Sequence, residues 1–242
     1  MYATNSLQGF HLSGLGSYAK GDGNGMMISG LLNHTKAYSG FQLAGLMNVA
    51  EDVNGFQFAG LVNKARNVKG VQFAGLINIA DNSDYPIGLI NLIRNGEKSV
   101  GVTYDEIGST IVGFRSGGRI MYGILGMGYN HKAKEEKYVM EGGFGAHIPL
   151  SSRFRINAEL RSQFLTDFSE DNQINHNTFA IMPAFRITPH FEIFGGPSIN
   201  FMYTENINNK NMFPGGHIWK KFTEAELKQL YIGFSAGVQY IF

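Results

Sequence analysis

The sequence predicts an all-β protein, an antiparallel transmembrane β-barrel of about 14 strands, and three observations predict it. Segment after segment alternates apolar and polar residues at the two-residue period of a half-buried strand. A fifteen-residue phrase recurs between Gly40 and Asn78, "GFQLAGLMNVAEDVNGFQFAGLVNKARNVKGVQFAGLIN". Charged residues make up only 16 % against about 25 % in soluble domains, while Gly (32 residues) and aromatics (13 %) are abundant, which suits many strands joined by tight turns. No run of about 18 apolar residues offers a spanning helix, but a barrel strand needs only about 9 to 11 alternating residues.

The repeat region, residues 9–95, comes first in the chain. Gln, Ala, Leu, Asn and Ala are held at alternate positions (Gln42, Ala44, Leu46, Asn48, Ala50, then from Gln57 and Gln72), while the intervening positions drift among Phe41, Leu43, Phe56, Phe58, Val71 and Phe73. A face that must only be greasy can drift; a face that packs on its neighbour must keep its shape. Antiparallel pairing around "EDVN" and "RNVK" sets Leu46 on Ala59, Ala44 on Leu61 and Asn48 on Gln57, making each unit one strand and one turn. The alternative is a parallel solenoid, stacking Asn48, Asn63 and Asn78 in a ladder and Leu46, Leu61 and Leu76 in a core. Weaker copies begin at Gly9, Gly25 and Pro86, giving six strands.

Residues 98–242 supply the remaining eight: "SVGVTYD", "STIVGFRS", "RIMYGILGMGYN", and five longer segments within residues 137–242. In "RFRINAELRSQF" the charges all fall opposite Phe154, Ile156, Ala158 and Leu160; in "YIGFSAGVQYIF" Ile232, Phe234, Ala236, Val238, Tyr240 and Phe242 share one face. Pro183 and Pro197 each remove a ladder donor and predict local bulges. "PLSSR" and "TPH" are tight connections, whereas "HKAKEE", "TDFSEDNQINH" and the segment 204–230 are long and polar, the asymmetry of periplasmic turns and external loops. An even strand count places both termini on the periplasmic side. The whole chain, 1–242, reads as a single barrel; if the repeats form a solenoid, the remaining eight strands still close an even barrel.

The GxQxAGLxN phrase together with the terminal Phe242 resembles the surface-repeat outer-membrane proteins of Bacteroidetes-type bacteria. That resemblance implies a Gram-negative outer-membrane location, contact with membrane lipid, and recognition of the closing strand by barrel-assembly machinery through Phe242. "MYATNSLQGF" carries no signal peptide, so Met1 is taken to open a mature form. The absence of Cys fits an oxidising compartment entered without disulfides.

Twenty Lys and Arg against 19 Asp and Glu leave no basic field for nucleic acid. Glu141, His147, Arg155, Glu159, Arg161, Arg186 and Glu192 fall on the polar faces and are expected to line the lumen, either as a salt-bridge network filling it or as the wall of a porin-like solute pore. His131, His147, His190 and His217 show no metal-ligand spacing, and no phosphate loop is present, so no cofactor is expected. His176 with Thr178, Asp167 and Asp171 nearby suggests a lipid-modifying hydrolase only if those groups reach one another, and an enzyme is not the expectation. In the last long loop, His217 and Trp219 precede Thr223 and Glu226, a capping box predicting a short helix through Leu230. The expected role is a small-solute channel or a structural barrel of an envelope complex, with a non-conducting surface protein interacting with envelope partners as the alternative.

Overall fold

The computed structural model describes residues 2–168, 173–224 and 226–242. The chain divides into two compact units, Met1–Glu97 with Ser116–Gly123, and Lys98–Arg115 with Ile124–Phe242.

The first unit is a parallel β-solenoid. Its strands form two sheets, one of six strands and one of seven, in which each strand pairs with its counterpart one repeat away. Gly40, Gly55 and Gly70 lie in one row, as do Gln42, Gln57 and Gln72, and Asn48, Asn63 and Asn78. The antiparallel meander, with Asn48 opposite Gln57, is therefore not formed, and the fourteen-strand barrel is replaced by the solenoid arrangement. The reason lies in the amides: like on like lets each side chain donate to its copy. Asn33, Asn48, Asn63 and Asn78 each pass a hydrogen bond to the next Asn at 2.8–3.0 Å, ending on Asn91. Gln72 donates to Gln57 and Gln57 to Gln42, at 3.0 and 2.8 Å. All of these amides are buried.

One full repeat shows how sequence sets the coil. The strand Asp52–Ala59 bends at Gly55, whose φ of +140° is costly for any residue with a Cβ. A corner follows at Gly60 and Leu61, and then the strand Val62–Lys64. A Cβ at Gly60 would lie 2.1 Å from the Gly45 carbonyl oxygen, so only glycine lets successive coils approach there. Leu46, Leu61 and Leu76 do not stack in a core as the solenoid reading expects. They stand 42–45 % exposed on the corner, because the interior is filled by Gln, Asn and Ala.

The second unit is a closed antiparallel barrel of eight strands: Lys98–Asp105, Ser109–Gly117, Met121–Asn130, Tyr138–Pro149, Phe154–Thr166, Gln173–Arg186, Phe191–Thr204 and Leu227–Ile241. The last pairs with the first, from Ser99 opposite Ile241 to Asp105 opposite Ser235, which closes the ring. The ends of two strands run into the 116–123 segment that belongs to the solenoid unit. Pro183 and Pro197 interrupt the ladder between their strands without the expected bulges. Pairing holds the same register from Ala180 opposite Ser198 to Ala184 opposite Phe194. The predicted helix after Thr223 is also absent: Trp219–Phe222 pairs antiparallel with Leu227–Leu230, and the Thr223 hydroxyl accepts the Glu226 amide at 3.1 Å within the hairpin turn. The capping-box chemistry is present, but it closes a β-turn.

The amide ladders make a specific demand on sequence. Asn63→Leu keeps the heavy-atom count and branching of the side chain but leaves the Asn78 side-chain oxygen and the Phe73 carbonyl without the donors they now have. Each orphaned buried acceptor costs about 1–3 kcal/mol. We expect a clear drop in the solenoid's resistance to protease and urea, whereas Gly14→Ala, where a Cβ meets nothing within 4 Å, should be nearly silent.

Candidate functional site

The residues that carry chemistry converge inside the barrel. Alternation on the strands sends one set of side chains outward and the other into the lumen, so Ile232, Phe234, Val238 and Tyr240 are exposed while Ser235 and Gln239 are buried. The same holds on the neighbouring strands, where Phe179, Ile181, Ile193 and Ile199 face out. An eight-stranded barrel has an interior just wide enough for side chains to fill.

The lumen contains a column of paired charges. Near the turns, Arg155 donates to Glu192 at 2.9 Å, Arg186 stands 3.8 Å from the same carboxylate, and Gln239 donates to it at 2.7 Å. His147 bonds Asn157 beside them. Midway, Arg115 donates to Glu159 at 2.9 Å; Arg161 lies 3.5 Å from Glu159 and 3.6 Å from Glu141, and donates to Ser235. The Arg115 guanidinium also sits 4.9 Å over the Phe194 ring, in cation–π range. Above this level Gln163 donates to Glu141, His176 bonds both Gln163 and Tyr231, and the Tyr231 hydroxyl donates to Glu106.

The seven predicted residues fall into three groups, Arg155, Arg186 and Glu192 in one, Glu141, Glu159 and Arg161 in another, and His147 with Asn157, and Arg186 is the most exposed at 29 %. Arg115, Glu106, Gln163 and Tyr231 were not singled out in the sequence. Arg115 is the one with a signal, because it breaks the apolar run of "STIVGFRS" at a position whose partners are also buried.

The loop end closes differently. Ile107, Ile111, Val139, Leu165, Ile174, Met202 and Leu227 form a buried apolar cluster with Met212 and Phe213, which the 3-10 helix Ile207–Met212 brings across from the longest loop. Asn209 from the same helix donates to buried Glu136. One end of the lumen is therefore packed with ion pairs and the other with hydrocarbon.

The remaining candidates fall elsewhere. His176 lies on a strand with its ring in the lumen, while Asp171 is outside the described residues. His217 is exposed in the long loop, and Trp219, 47 % exposed, stands on the hairpin. There Lys228 first, and Lys221 second, hold the Glu226 carboxyl below its ordinary range through hydrogen bonds of 2.6 and 3.2 Å. Among the described residues, no group of three or more His, Cys, Asp or Glu is placed to hold a metal ion.

No protein-family model matches the sequence, and no curated protein matches it. Among solved structures the chain is similar to one from the de novo design of transmembrane beta-barrels, at 12 % identity and a TM-score of 0.32, over 60 % of this chain and 93 % of that one. It is also similar to Neisserial surface protein A (NspA), at 13 % identity and a TM-score of 0.30, over 60 % of this chain and 94 % of that one.

A buried ion pair is most sensitive to losing one member. Glu159→Gln strips Arg115 of its carboxylate and should cost about 3–5 kcal/mol. Replacing both partners, as Arg115→Met with Glu159→Met, should recover most of that loss. Urea unfolding followed by heat-modifiable gel migration measures both, and equal destabilisation of the two would contradict the pairing.

Proposed function

We propose that this chain is a bacterial outer-membrane protein whose barrel is a sealed structural anchor, holding its solenoid at the membrane as part of the cell envelope. Two features support a membrane for the barrel. Its strands carry an apolar outward face, and the five strands of 12 to 15 residues are longer than the about 9 to 11 residues that a hydrocarbon core requires. Closure removes every unpaired strand edge, the condition for β-structure in lipid.

The observation that carries the anchor reading is the filled lumen. Glu141, Glu159, Arg161 and Glu192 are each no more than 3 % exposed. A solute pore keeps such charges in contact with water; here they contact one another. The solute-channel reading would need both the Arg–Glu column and the apolar cluster beneath the long loop to move aside. The envelope partner contacted by the anchored solenoid is the remaining component of this reading, and the exposed Trp219 hairpin is a second surface from which a partner can be reached.

Reconstituted into a planar bilayer, the protein should give no stepwise conductance at ordinary voltages; reproducible unitary steps would restore the channel. Phe234→Arg, in the middle of the outward face, should weaken the barrel in lipid vesicles by about 2–4 kcal/mol. In a water-soluble barrel the same change would be neutral.

A further inference from the structure

The solenoid carries hydrocarbon on its exterior as well as inside: the amide ladders share the interior with buried Ala44, Ala59, Val53 and Val68, while rows of Phe and Leu face outward. Outward rows along the wide sheet run Phe10, Met26, Phe41, Phe56, Val71 and, two residues on within each coil, Leu12, Ile28, Leu43, Phe58, Phe73. Phe41 stacks on Phe56 and Phe58 on Phe73, each pair with ring centroids 5.0 Å apart. The corner adds Leu31, Leu46, Leu61 and Leu76, and the side beyond it adds Leu32, Met47, Val62 and Ile77. Four coil steps of about 4.8 Å make each Phe row about 19 Å long, and a contiguous apolar surface of that kind marks an interaction or membrane site.

Charge is confined to the rest of the coil. Glu51, Asp52, Arg66, Lys69 and Asp84 lie before the glycine bend or on the opposite turn, where Arg66 donates to Asp52 at 2.7 Å and holds its carboxyl below the ordinary range; Lys64, at the far end of the strand Val62–Lys64, is the one charge on the side beyond the corner between Leu46 and Ile79, and its long stem can carry the ammonium toward the headgroups. No charged residue occupies the Gly–Leu corner in any coil from Gly30 to Leu76.

We propose that the Gly–Leu corner from Gly45 to Leu76 and its flanking Phe41–Phe73 rows, whose strands are paired on both sides, are buried in the acyl-chain layer of a lipid bilayer, with the charged turn left at the headgroups. Three observations fit this occupant. First, the corner's N–H groups all donate within the protein. Gly60 N–H donates to the Ala44 carbonyl, and Leu61 and Val62 N–H both donate to that of Leu46. From inside, Asn48 caps the Phe58 carbonyl at 2.7 Å and Asn63 the Phe73 carbonyl at 2.8 Å. Hydrocarbon tolerates backbone only when it is satisfied in this way. Second, Phe56 to Leu61 spans five residue steps, about 16 Å at strand rise, against about 15 Å for one leaflet's half of the core. Third, the apolar surface wraps two sides and the corner between them; a second copy or a flat partner covers one side, whereas a fluid layer covers all three.

The inference shares the bilayer with the barrel reading but rests on different residues, and the test separates them. The chain contains no Cys, so Leu61→Cys, Asn54→Cys and Phe234→Cys each give one labelling site for an environment-sensitive fluorophore. The full-length protein is reconstituted into phosphatidylethanolamine–phosphatidylglycerol vesicles, with acyl chains brominated at mid-chain or with iodide in the buffer. The label at Leu61 should lose most of its emission to brominated chains and little to iodide, and the label at Asn54 should do the reverse. Leu76→Cys repeats the Leu61 measurement one coil away, in case one variant misfolds. Iodide quenching at Leu61 equal to that at Asn54 overturns the proposal, and so does protection from both quenchers, which would mean a protein covers the corner. If Phe234 is quenched by brominated chains and Leu61 is not, only the solenoid proposal falls. If Phe234 is not quenched, the barrel reading falls, and the Leu61 result decides the solenoid alone.

Discussion

The constraint underlying both units is that polar groups placed inside need partners inside. An unpaired buried amide or carboxylate costs kilocalories, while a paired one is close to neutral. The solenoid meets the demand by repetition, since a primary amide carries a donor and an acceptor and can pass a hydrogen bond to its own copy. The barrel meets it by complementarity, setting five-donor guanidinium groups among carboxylates. Where amides and ion pairs take up the interior, many of the apolar residues on the same strands face outward. The exposed Phe and Leu rows are in that sense a product of the Asn and Gln ladders.

Much of the barrel is legible in sequence because its strands alternate without interruption. The outward set from Ile232 to Tyr240 and the inward charges from Glu141 to Glu192 follow directly from period two. The repeat is harder. Alternation is the same whether a neighbouring strand runs parallel or antiparallel, and both pairings bury the same residues. The discriminating signal is identity: an antiparallel turn sets Asn48 against Gln57 and tolerates any pair of amides, whereas a parallel stack sets Asn on Asn and demands the same residue in every copy. The sequence holds Asn48, Asn63 and Asn78 fixed.

Other misreadings have local causes. Leu46 shares its invariance with Ala44 and Asn48, so it looks like core, yet the adjacent Gly45 turns the chain and swings Leu46 outward. Thr223 and Glu226 have helix-cap spacing, but the same hydroxyl-to-amide bond closes a β-turn when strands flank it. Glu106 lies just past the end of the strand Lys98–Asp105, where alternation no longer assigns a face, whereas Tyr231 is inward in phase with Ser235 and Gln239 but reads in sequence as one more apolar aromatic. Only the three-dimensional closure of the ring brings them within 2.9 Å of each other.

The Asn ladder has a direction. Each side-chain nitrogen donates toward the higher-numbered neighbour, the acceptor end at Asn33 is open, and the last member, Asn91, donates to the carbonyl of Ser116. The Gln ladder runs the other way and stops on the Thr35 hydroxyl. Only the end members are specialised; the middle ones are interchangeable. Duplicating or deleting one fifteen-residue cassette in the middle would therefore lengthen or shorten the stack by about 4.8 Å while leaving both terminators in place. Reach is a freely adjustable property of such a molecule, tuned by copy number with no redesign of its ends.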